Sequence, residues 1–195
     1  MQKNIIIVSG PPAGGKGYRI NALLERLGGE KAVRISLSAL SAIERHNQTT
    51  LGRWLCTREE KGELFPDATA VTMALQEFDR HPEKKYFIFD GAPRTLPQAQ
   101  ELVSFFRNTL EHKVISVHVT CDHDICRSRC CNTDRANRVD NANFEKRLGI
   151  YCEITSPMIP YLAENTDHHH EVDGEGGIDE FFAKLDFLEE NLQPA

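Results

Sequence analysis

The stretch that decides the fold is Ile5-Ile6-Ile7-Val8-Ser9-Gly10-Pro11-Pro12-Ala13-Gly14-Gly15-Lys16-Gly17. Its continuous apolar run is typical of a strand in a parallel sheet that helices cover on both faces. The loop after the run fits the pattern G-x-x-x-x-G-K, which favours a phosphate-binding turn over a glycine-rich turn without a ligand. Glycines let backbone N–H groups curl around an anion, while Lys16 and the N-terminus of the next helix add positive potential. The sequence therefore predicts a polyphosphate site near residue 16.

Length, charge and composition limit the kind of protein. The chain has 195 residues, 40% of them hydrophobic, and a formal net charge of −6. This size suits one α/β domain, and the acidic balance disfavours nucleic acid or a membrane surface as a partner. No apolar run is long enough to span a bilayer, and Met-Gln-Lys-Asn leads straight into the first strand without a signal peptide. We therefore expect a soluble, cytoplasmic protein.

Strand-like and helix-like segments alternate along the chain. The predicted strands are 4–9, 32–37, 85–90, 114–120 and 168–173. The predicted helices are 16–27, 38–45, 51–61, 67–81, 97–110, 143–164 and 178–192. This alternation predicts an α/β fold with a five-stranded parallel sheet flanked by helices. Residues 37–65 and 130–138 fit it poorly, so we interpret them as excursions from one domain whose core is 1–36, 66–129 and 139–195.

The third predicted strand brings two charged residues to the sheet edge that carries the phosphate loop. It ends at Asp90, and Gly91-Ala92-Pro93-Arg94-Thr95 follows. Ligands of open α/β sheets bind outside the carboxyl ends of the strands. Asp90 is therefore a candidate to hold the water shell of Mg²⁺, and Arg94 a candidate to bind a second phosphate. The alternatives are a helix or turn cap for Asp90 and a surface ion pair for Arg94.

A second set of cationic residues lies further along the chain. Its members are Arg127, Arg129, Arg135, Arg138 and Arg147. A charge run of this kind is usually a solvated helix face. Here it coincides with the short excursion, and phosphoryl transfer needs positive charge around the moving phosphoryl group. Arginines on a mobile flap would supply that charge and exclude water.

Six cysteines in a chain of this kind are expected to be reduced thiols. Cys121, Cys126, Cys130 and Cys131 cluster near His123, which raises the possibility of zinc. The cluster contains no Cys-x-x-Cys pair, which disfavours a zinc site. Cys126 and Cys130 share one face of a predicted helix, so we interpret them as core residues.

These residues together resemble the adenylate kinase family of nucleoside monophosphate kinases over nearly the whole chain. The resemblance rests on the phosphate loop at 10–17, on 51–67 with its ending Lys-Gly-Glu-Leu-Phe-Pro-Asp, on Phe-Asp-Gly-Ala-Pro-Arg-Thr-Leu-Pro-Gln-Ala at 89–99, on 138–140 with 146–148, and on 172–176. The block at 89–99 is the one most specific to the family.

The resemblance implies a P-loop kinase with a short lid, in which ATP with Mg²⁺ phosphorylates AMP to give two ADP. It implies catalytic roles for Lys16, Arg94, Arg129, Arg138 and Arg147. ATP would be bound by Gly10, Ala13, Gly14, Gly15, Lys16, Gly17, Tyr18, Arg129 and Gly176. The acceptor would be bound by Leu37, Glu63, Leu64, Phe65, Gly91, Ala92, Pro93, Arg94, Gln98, Arg138 and Arg147, with Gln98 reading the adenine edge. Asp90 would hold Mg²⁺ through water, and we expect a monomer.

The chain departs from the family's pattern mainly on the acceptor side. The family segment Ile-Ser-Thr-Gly-Asp-x-x-Arg reads Ile-Ser-Leu-Ser-Ala-Leu-Ser-Ala at 35–42, so Ala42 replaces the arginine that clamps the acceptor phosphate. Arg45 lies three positions further on roughly the same helix face and is a candidate replacement. On the donor side, Tyr18 stands where the family has threonine, and Ala13 where it has glycine.

These departures leave alternatives to a kinase that uses ATP and AMP. UMP or CMP could be the acceptor, and a non-nucleotide acceptor is a further possibility. Ala39, Ala42 and Tyr18 favour a nucleotide-binding sensor with weak catalysis. The retained donor loop and arginines favour an active kinase, because a phosphoryl-transfer site depends on such charges together.

Overall fold

The computed structural model describes residues 2–132 and 143–186, and a five-stranded sheet runs through their centre. The strands are β1 (Asn4–Ser9), β2 (Ala32–Ser36), β3 (Tyr86–Asp90), β4 (Lys113–Thr120) and β5 (His168–Asp173). Their order is β2-β3-β1-β4-β5, and each neighbouring pair is parallel. The predicted α/β fold with a five-stranded parallel sheet is confirmed.

Helices follow each of the strands. They are α1 (Lys16–Leu27), α2 (Leu37–His46), α3 (Thr50–Glu60), α4 (Asp67–Asp79), α5 (Leu96–Val103), α6 (His123–Asn132), α7 (Phe144–Ile150), α8 (Ile159–Asn165) and α9 (Ile178–Ala183). The predicted second strand was one residue too long, because Leu37 already begins α2. None of the helices within the described residues is long and apolar enough to cross a membrane.

Two of the predicted long helices are irregular. The helix predicted over 97–110 begins at Leu96 and widens into a π-helical stretch at Ser104–Thr109. The helix predicted over 143–164 is divided into α7, a π-helical stretch at Tyr151–Thr155, a short 3₁₀ turn and α8. Pro157 and Pro160 have no backbone N–H, so a regular ladder of hydrogen bonds cannot continue past them.

The core lies on both faces of the sheet, as the unbroken apolar run of β1 predicts. Ile5 and Ile7 pack on one face among residues of α2 to α5 and α8. Ile6 and Val8 pack on the other face among residues of α1 and α9. All four are at most 3% exposed, so β1 is fixed in the middle of the molecule and its carboxyl end has a defined position.

The first excursion, residues 37–65, is a helical hairpin. Its helices α2 and α3 pack on each other, and Gly52 makes the close approach possible because a Cβ there would collide with the backbone of Glu44 and Arg45. Three large apolar side chains of this hairpin, Ile43, Leu51 and Trp54, are exposed. Of the predicted lid, 130–132 form the end of α6 and 133–138 lie outside the described residues.

Candidate active site

The loop between β1 and α1 is bent into a tight cradle. Gly10 has φ 145°, and a Cβ at this position would collide with the carbonyl group of Val119 on β4. Gly15, the N-cap of α1, has φ 90°, and the backbone N–H of Gly14 donates to the carbonyl of Pro11. Glycine tolerates such conformations at no steric cost. Ala13 also lies in the left-handed region, with φ 58°, where a methyl group is unfavourable.

Lys16 is the central cation of this cradle. Its Nζ donates to the carbonyls of Gly10, at 2.8 Å, and Pro11, at 2.6 Å. The pKa of Lys16 is lowered to about 8, mainly by burial; the charge of Asp90 opposes this shift, and the charges of Arg94 and Arg147 add to it. Several charges from different elements therefore act on one ammonium group, as a phosphate site requires.

A cleft opens in front of the cradle, with walls from three parts of the chain. The core contributes Gly10, Pro12 and Lys16, the hairpin contributes Leu37 and Glu63 to Phe65, and α7 with the helical stretch after it contributes Arg147 and Tyr151. The hairpin and α7 touch directly, because Asn143 Nδ2 donates to the carbonyl of Glu60 at 2.8 Å. The predicted phosphate loop and acceptor segment therefore face one cavity.

The segment after β3 holds Arg94 at the wall of this cleft. The backbone N–H of Arg94 donates to Gln98 Oε1 at 2.8 Å, and its carbonyl accepts from Thr155 Oγ1 at 2.9 Å. Gln98 is only 2% exposed, and its Nε2 donates to Asp67 Oδ1 at 2.9 Å. Thr95 caps α5 and donates to the same carboxylate oxygen at 2.7 Å. Arg94 is thus fixed through its backbone.

The acceptor wall contains most of the residues that the sequence assigned to it. Leu37, Glu63, Leu64, Phe65, Gly91, Pro93, Arg94, Gln98 and Arg147 line the cleft. Ala92 does not: its methyl group is 2% exposed and packs in the main hydrophobic core. Arg58 Nε donates to the carbonyl of Leu64 at 3.0 Å and so braces the turn that carries Glu63 to Phe65.

On the other side of the cradle, two arginines converge on the turn after β5. Arg129 Nη1 donates to the carbonyl of Gly174 at 3.0 Å. Arg19, which is 2% exposed, donates to the carbonyls of Asp173 at 2.5 Å, Gly174 at 3.4 Å and Gly176 at 2.9 Å. Arg129 therefore contacts the turn that carries Gly176, and Arg19 holds this turn in place.

Comparison with known proteins agrees with this geometry. The family model described as adenylate kinase matches residues 8–167. A protein named adenylate kinase from Flavobacterium psychrophilum is 31% identical over 191 residues, 96% of this chain and 98% of the relative. Adenylate kinases from Hyphomonas neptunium and Bacteroides thetaiotaomicron are each 29% identical, over 93% and 92% of this chain and 95% of each relative.

The chain belongs to the adenylate kinase family. It is therefore an enzyme of the phosphotransferase class, in a family of nucleoside monophosphate kinases whose members bind nucleotides. The resemblance drawn from the sequence is confirmed. The matched region includes the cradle, the hairpin and the segment after β3, so every wall of the cleft belongs to it.

Within this adenylate kinase fold, Arg45 does not take the place of the missing arginine at position 42. Its side chain is exposed, and Nη1 lies 3.7 Å from Cys56 Sγ on α3. Three residues leave two helical side chains about 60° apart around the axis, enough to turn Arg45 from the cleft. Tyr18 is 61% exposed and does not line the cleft either.

Asp90 has a partner that the sequence reasoning missed. Its Oδ2 accepts from both Nε, at 3.1 Å, and Nη2 of Arg34 on β2. An adenylate kinase acts on nucleotides with Mg²⁺, and Asp90 was the residue predicted to hold the metal's water shell. The guanidinium occupies one oxygen of the carboxylate and offsets its charge, and this arrangement disfavours the predicted role.

A buried polar chain beneath the cradle was also missed. Ser9 Oγ lies 3.2 Å from His118 Nδ1, and Tyr151 Oη lies 3.4 Å from His118 Nε2. Burial lowers the pKa of His118 and raises that of Tyr151 to about 12, so both are neutral near pH 7. These three hydrogen-bonded side chains connect the end of β1 to the cleft wall. Nothing in the local sequence around His118 indicates it, since it depends on strand pairing.

Other predicted residues have different outcomes. Arg138 and Arg135 lie outside the described residues, so their placement stays a prediction. Cys126 and Cys130 pack with Phe144 and Leu148 in a small apolar cluster, in agreement with the expected core role. Burial raises the pKa of Cys126 to about 12, which keeps its thiol protonated.

Proposed function

We propose that this chain transfers the terminal phosphoryl group of MgATP to AMP and releases two molecules of ADP. The observation that carries the proposal is the position of Lys16, Arg94 and Arg147 in one cleft, between the phosphate cradle and the hairpin. Phosphoryl transfer depends on alignment and on neutralising charge, with little covalent chemistry for the protein to do. Three cations from three elements meet that need.

Each side of the cleft has its own role in the transfer. The N–H groups of residues 13–17 and the Lys16 ammonium hold the phosphates of ATP, with Arg129 and the turn at 173–176 beside the donor base. Arg94 grips the phosphate of the acceptor, since a guanidinium binds two phosphate oxygens at once. Arg147 contributes a further cation from α7, and the role predicted for Arg138 concerns a residue outside the described ones.

Gln98 supports adenine as the acceptor base. Its amide uses one donor position on Asp67 and one acceptor position on the N–H of Arg94. A primary amide has two N–H groups and a carbonyl with two lone pairs, so one donor and one acceptor position stay available. That pair matches the donor–acceptor edge of adenine.

The alternative is a nucleotide-binding protein with weak transfer. It is favoured by one observation, namely that the hairpin places Ala42 where the family has a clamping arginine and directs Arg45 to Cys56. Arg94 and Arg147 weigh against it, because they share the cleft with Lys16 and a phosphoryl-transfer site depends on such charges acting together around the transferred group.

A coupled assay of ADP formation with MgATP and each of AMP, UMP, CMP and GMP tests the proposal. We expect transfer to AMP with the highest kcat/KM. Transfer only to UMP or CMP would show that the acceptor is a pyrimidine nucleotide and not AMP. ATP binding without transfer to any of the four would support the sensor function instead.

A further inference from the structure

The environment of Asp90 differs from that of a carboxylate kept for a metal. Arg34 lies on β2 beside β3, two residues before Ser36, which pairs with Asp90 in the sheet register. Alternate residues of a strand share a face, so the Arg34 side chain extends along the sheet towards Asp90. Arg34 Nη1 also donates to Asn21 Oδ1 on α1 at 3.2 Å. The guanidinium is therefore held at both ends.

This ion pair is partly shielded from water. The side chains of Arg34 and Asp90 are 34% and 16% exposed, so solvent screens their attraction less than at the surface. Two N–H groups of one guanidinium reach a single carboxylate oxygen, and hydrogen bonds between charged partners are the strong ones. Arginine stays protonated at any working pH, so the positive charge beside Asp90 does not depend on pH.

The cleft offers few other carboxylates. Among the described residues that line it, the acidic side chains are those of Glu59 and Glu63, both on the hairpin. Glu63 lies 3.5 Å from Arg58 and so is paired as well. Asp90 itself is absent from the lining, although its neighbour Gly91 is present.

We propose that Arg34 is a positioning residue that holds the Asp90 carboxylate against β2 and thereby keeps it from the hydration shell of the Mg²⁺ carried by ATP. The ion is then held by the nucleotide's phosphates and water alone. The inference rests on the proposed function only in that MgATP is the ligand. Mg²⁺ keeps several waters and gains its protein contacts through one or two carboxylates, and a carboxylate whose charge is offset by a guanidinium attracts the hydrated cation less.

Calorimetric titration with ATP, once with Mg²⁺ and once with a chelator, tests this without turnover. The measured quantity is the dissociation constant of ATP with the chelator divided by that with Mg²⁺, called here the metal ratio. A larger metal ratio means that the metal strengthens ATP binding more. In Arg34→Gln we expect a metal ratio about fivefold or more above that of the wild type, which is the lower end of usual coupling between two ligands. In the double variant Arg34→Gln with Asp90→Asn this increase disappears.

Two further variants make the result unambiguous. Arg80→Gln removes an arginine that follows α4, is 63% exposed and is paired with Glu77, so it controls for general loss of positive charge. Asp90→Asn in the otherwise unchanged chain is the second test, and it does not depend on Arg34→Gln folding. We expect its metal ratio to match that of the wild type within about twofold, the scale below ordinary ligand coupling.

An unchanged metal ratio in folded Arg34→Gln, or a metal ratio that falls by about fivefold in Asp90→Asn, would overturn the inference, whereas the proposed function is judged separately by the transfer assay. If the wild-type chain binds no ATP with or without Mg²⁺, the proposed function fails and this inference fails with it.

Discussion

The donor half and the acceptor half of the cleft are built differently. On the donor side, Arg19 ties three carbonyls of the turn after β5, and glycines shape the cradle around Lys16. On the acceptor side, the hairpin carries Ala42 and exposes Arg45. The fixed cations of the acceptor side, Arg94 and Arg147, come from the segment after β3 and from α7. The cations proposed to bind the phosphates thus lie outside the hairpin.

This difference is expected to affect the affinities for the two nucleotides unequally. A rigid, preorganised donor site loses little freedom when ATP binds. An acceptor site with one oriented charge fewer binds the phosphate of its nucleotide less tightly. The affinity for the nucleoside monophosphate is therefore lowered more than the affinity for ATP. We therefore expect ATP affinity to resemble that of a complete kinase and acceptor affinity to be weaker.

The largest effect is expected at Lys16. Lys16→Met removes the ammonium that we propose to bridge the phosphates, and turnover should fall by about 10³, as for loss of an oriented electrostatic donor. Lys31→Met is the matched control, because Lys31 is exposed on a turn away from the cleft. Activity retained in Lys16→Met, with an unchanged thermal unfolding midpoint, would place the site elsewhere.

The second prediction compares two arginines of the acceptor side. Arg94→Ala should lower kcat/KM for the acceptor by about 10², because it removes a bidentate phosphate contact. Arg45→Ala should leave it within about twofold, as for a surface residue away from the site. Steady-state kinetics with varied AMP measure both. An equal loss in the two variants would mean that Arg45 takes part after all.

A gain of function tests the acceptor side from the opposite direction. Ala42→Arg restores the charge of the family pattern, and the KM for AMP should fall by about tenfold, the worth of one charge-assisted contact. The KM for ATP should not change. A rise in the KM for AMP would show that the hairpin has adapted to the absence of this arginine.

The fourth prediction follows from the low pKa of Lys16. Because that pKa is about 8 in the folded chain and 10.5 ordinarily, Lys16 loses its charge as the pH rises past 8. ATP affinity should fall by about fivefold between pH 7 and pH 9. In the window from 8 to 10.5 the unfolded chain binds more protons, so this group makes folding more favourable with rising pH. Loss of binding without loss of stability, measured by titration and thermal unfolding, is the expected pair of results.

The smallest effect is expected at Ala13. Ala13→Gly relieves the left-handed backbone at φ 58° and should stabilise the fold by about 0.5–1 kcal/mol, because the strain of an L side chain there exceeds the entropy that glycine adds to the unfolded chain. Chemical denaturation measures it. A destabilised variant would show that the methyl group contributes packing that outweighs the strain.

The sequence predicted the fold and the phosphate cradle well, because both depend on local patterns. The unbroken apolar run of β1 and the glycine spacing after it are features of adjacent residues. Contacts across strands were not predictable in the same way. The pairing of Arg34 with Asp90 joins residues 56 positions apart, and no local pattern indicates it.

Arg19 is an intermediate case, since a signal for it was present. It shares the buried stripe of α1 with Leu23 and Leu27, four and eight positions further on. A charged residue on such a stripe must find hydrogen-bond partners, and here they are carbonyls of the turn after β5. The expectation that Arg45 replaces the arginine missing at position 42 was wrong because of helix geometry. Two side chains three positions apart on a helix lie near each other but do not point in the same direction.

The most direct measurement is a calorimetric titration of the wild-type chain with MgATP and, separately, with AMP. The account predicts that MgATP binds at least about tenfold more tightly than AMP, a difference of about 1.4 kcal/mol. AMP binding as tight as that of MgATP, or tighter, would contradict the view that the donor half keeps its phosphate-binding groups and the acceptor half is weakened.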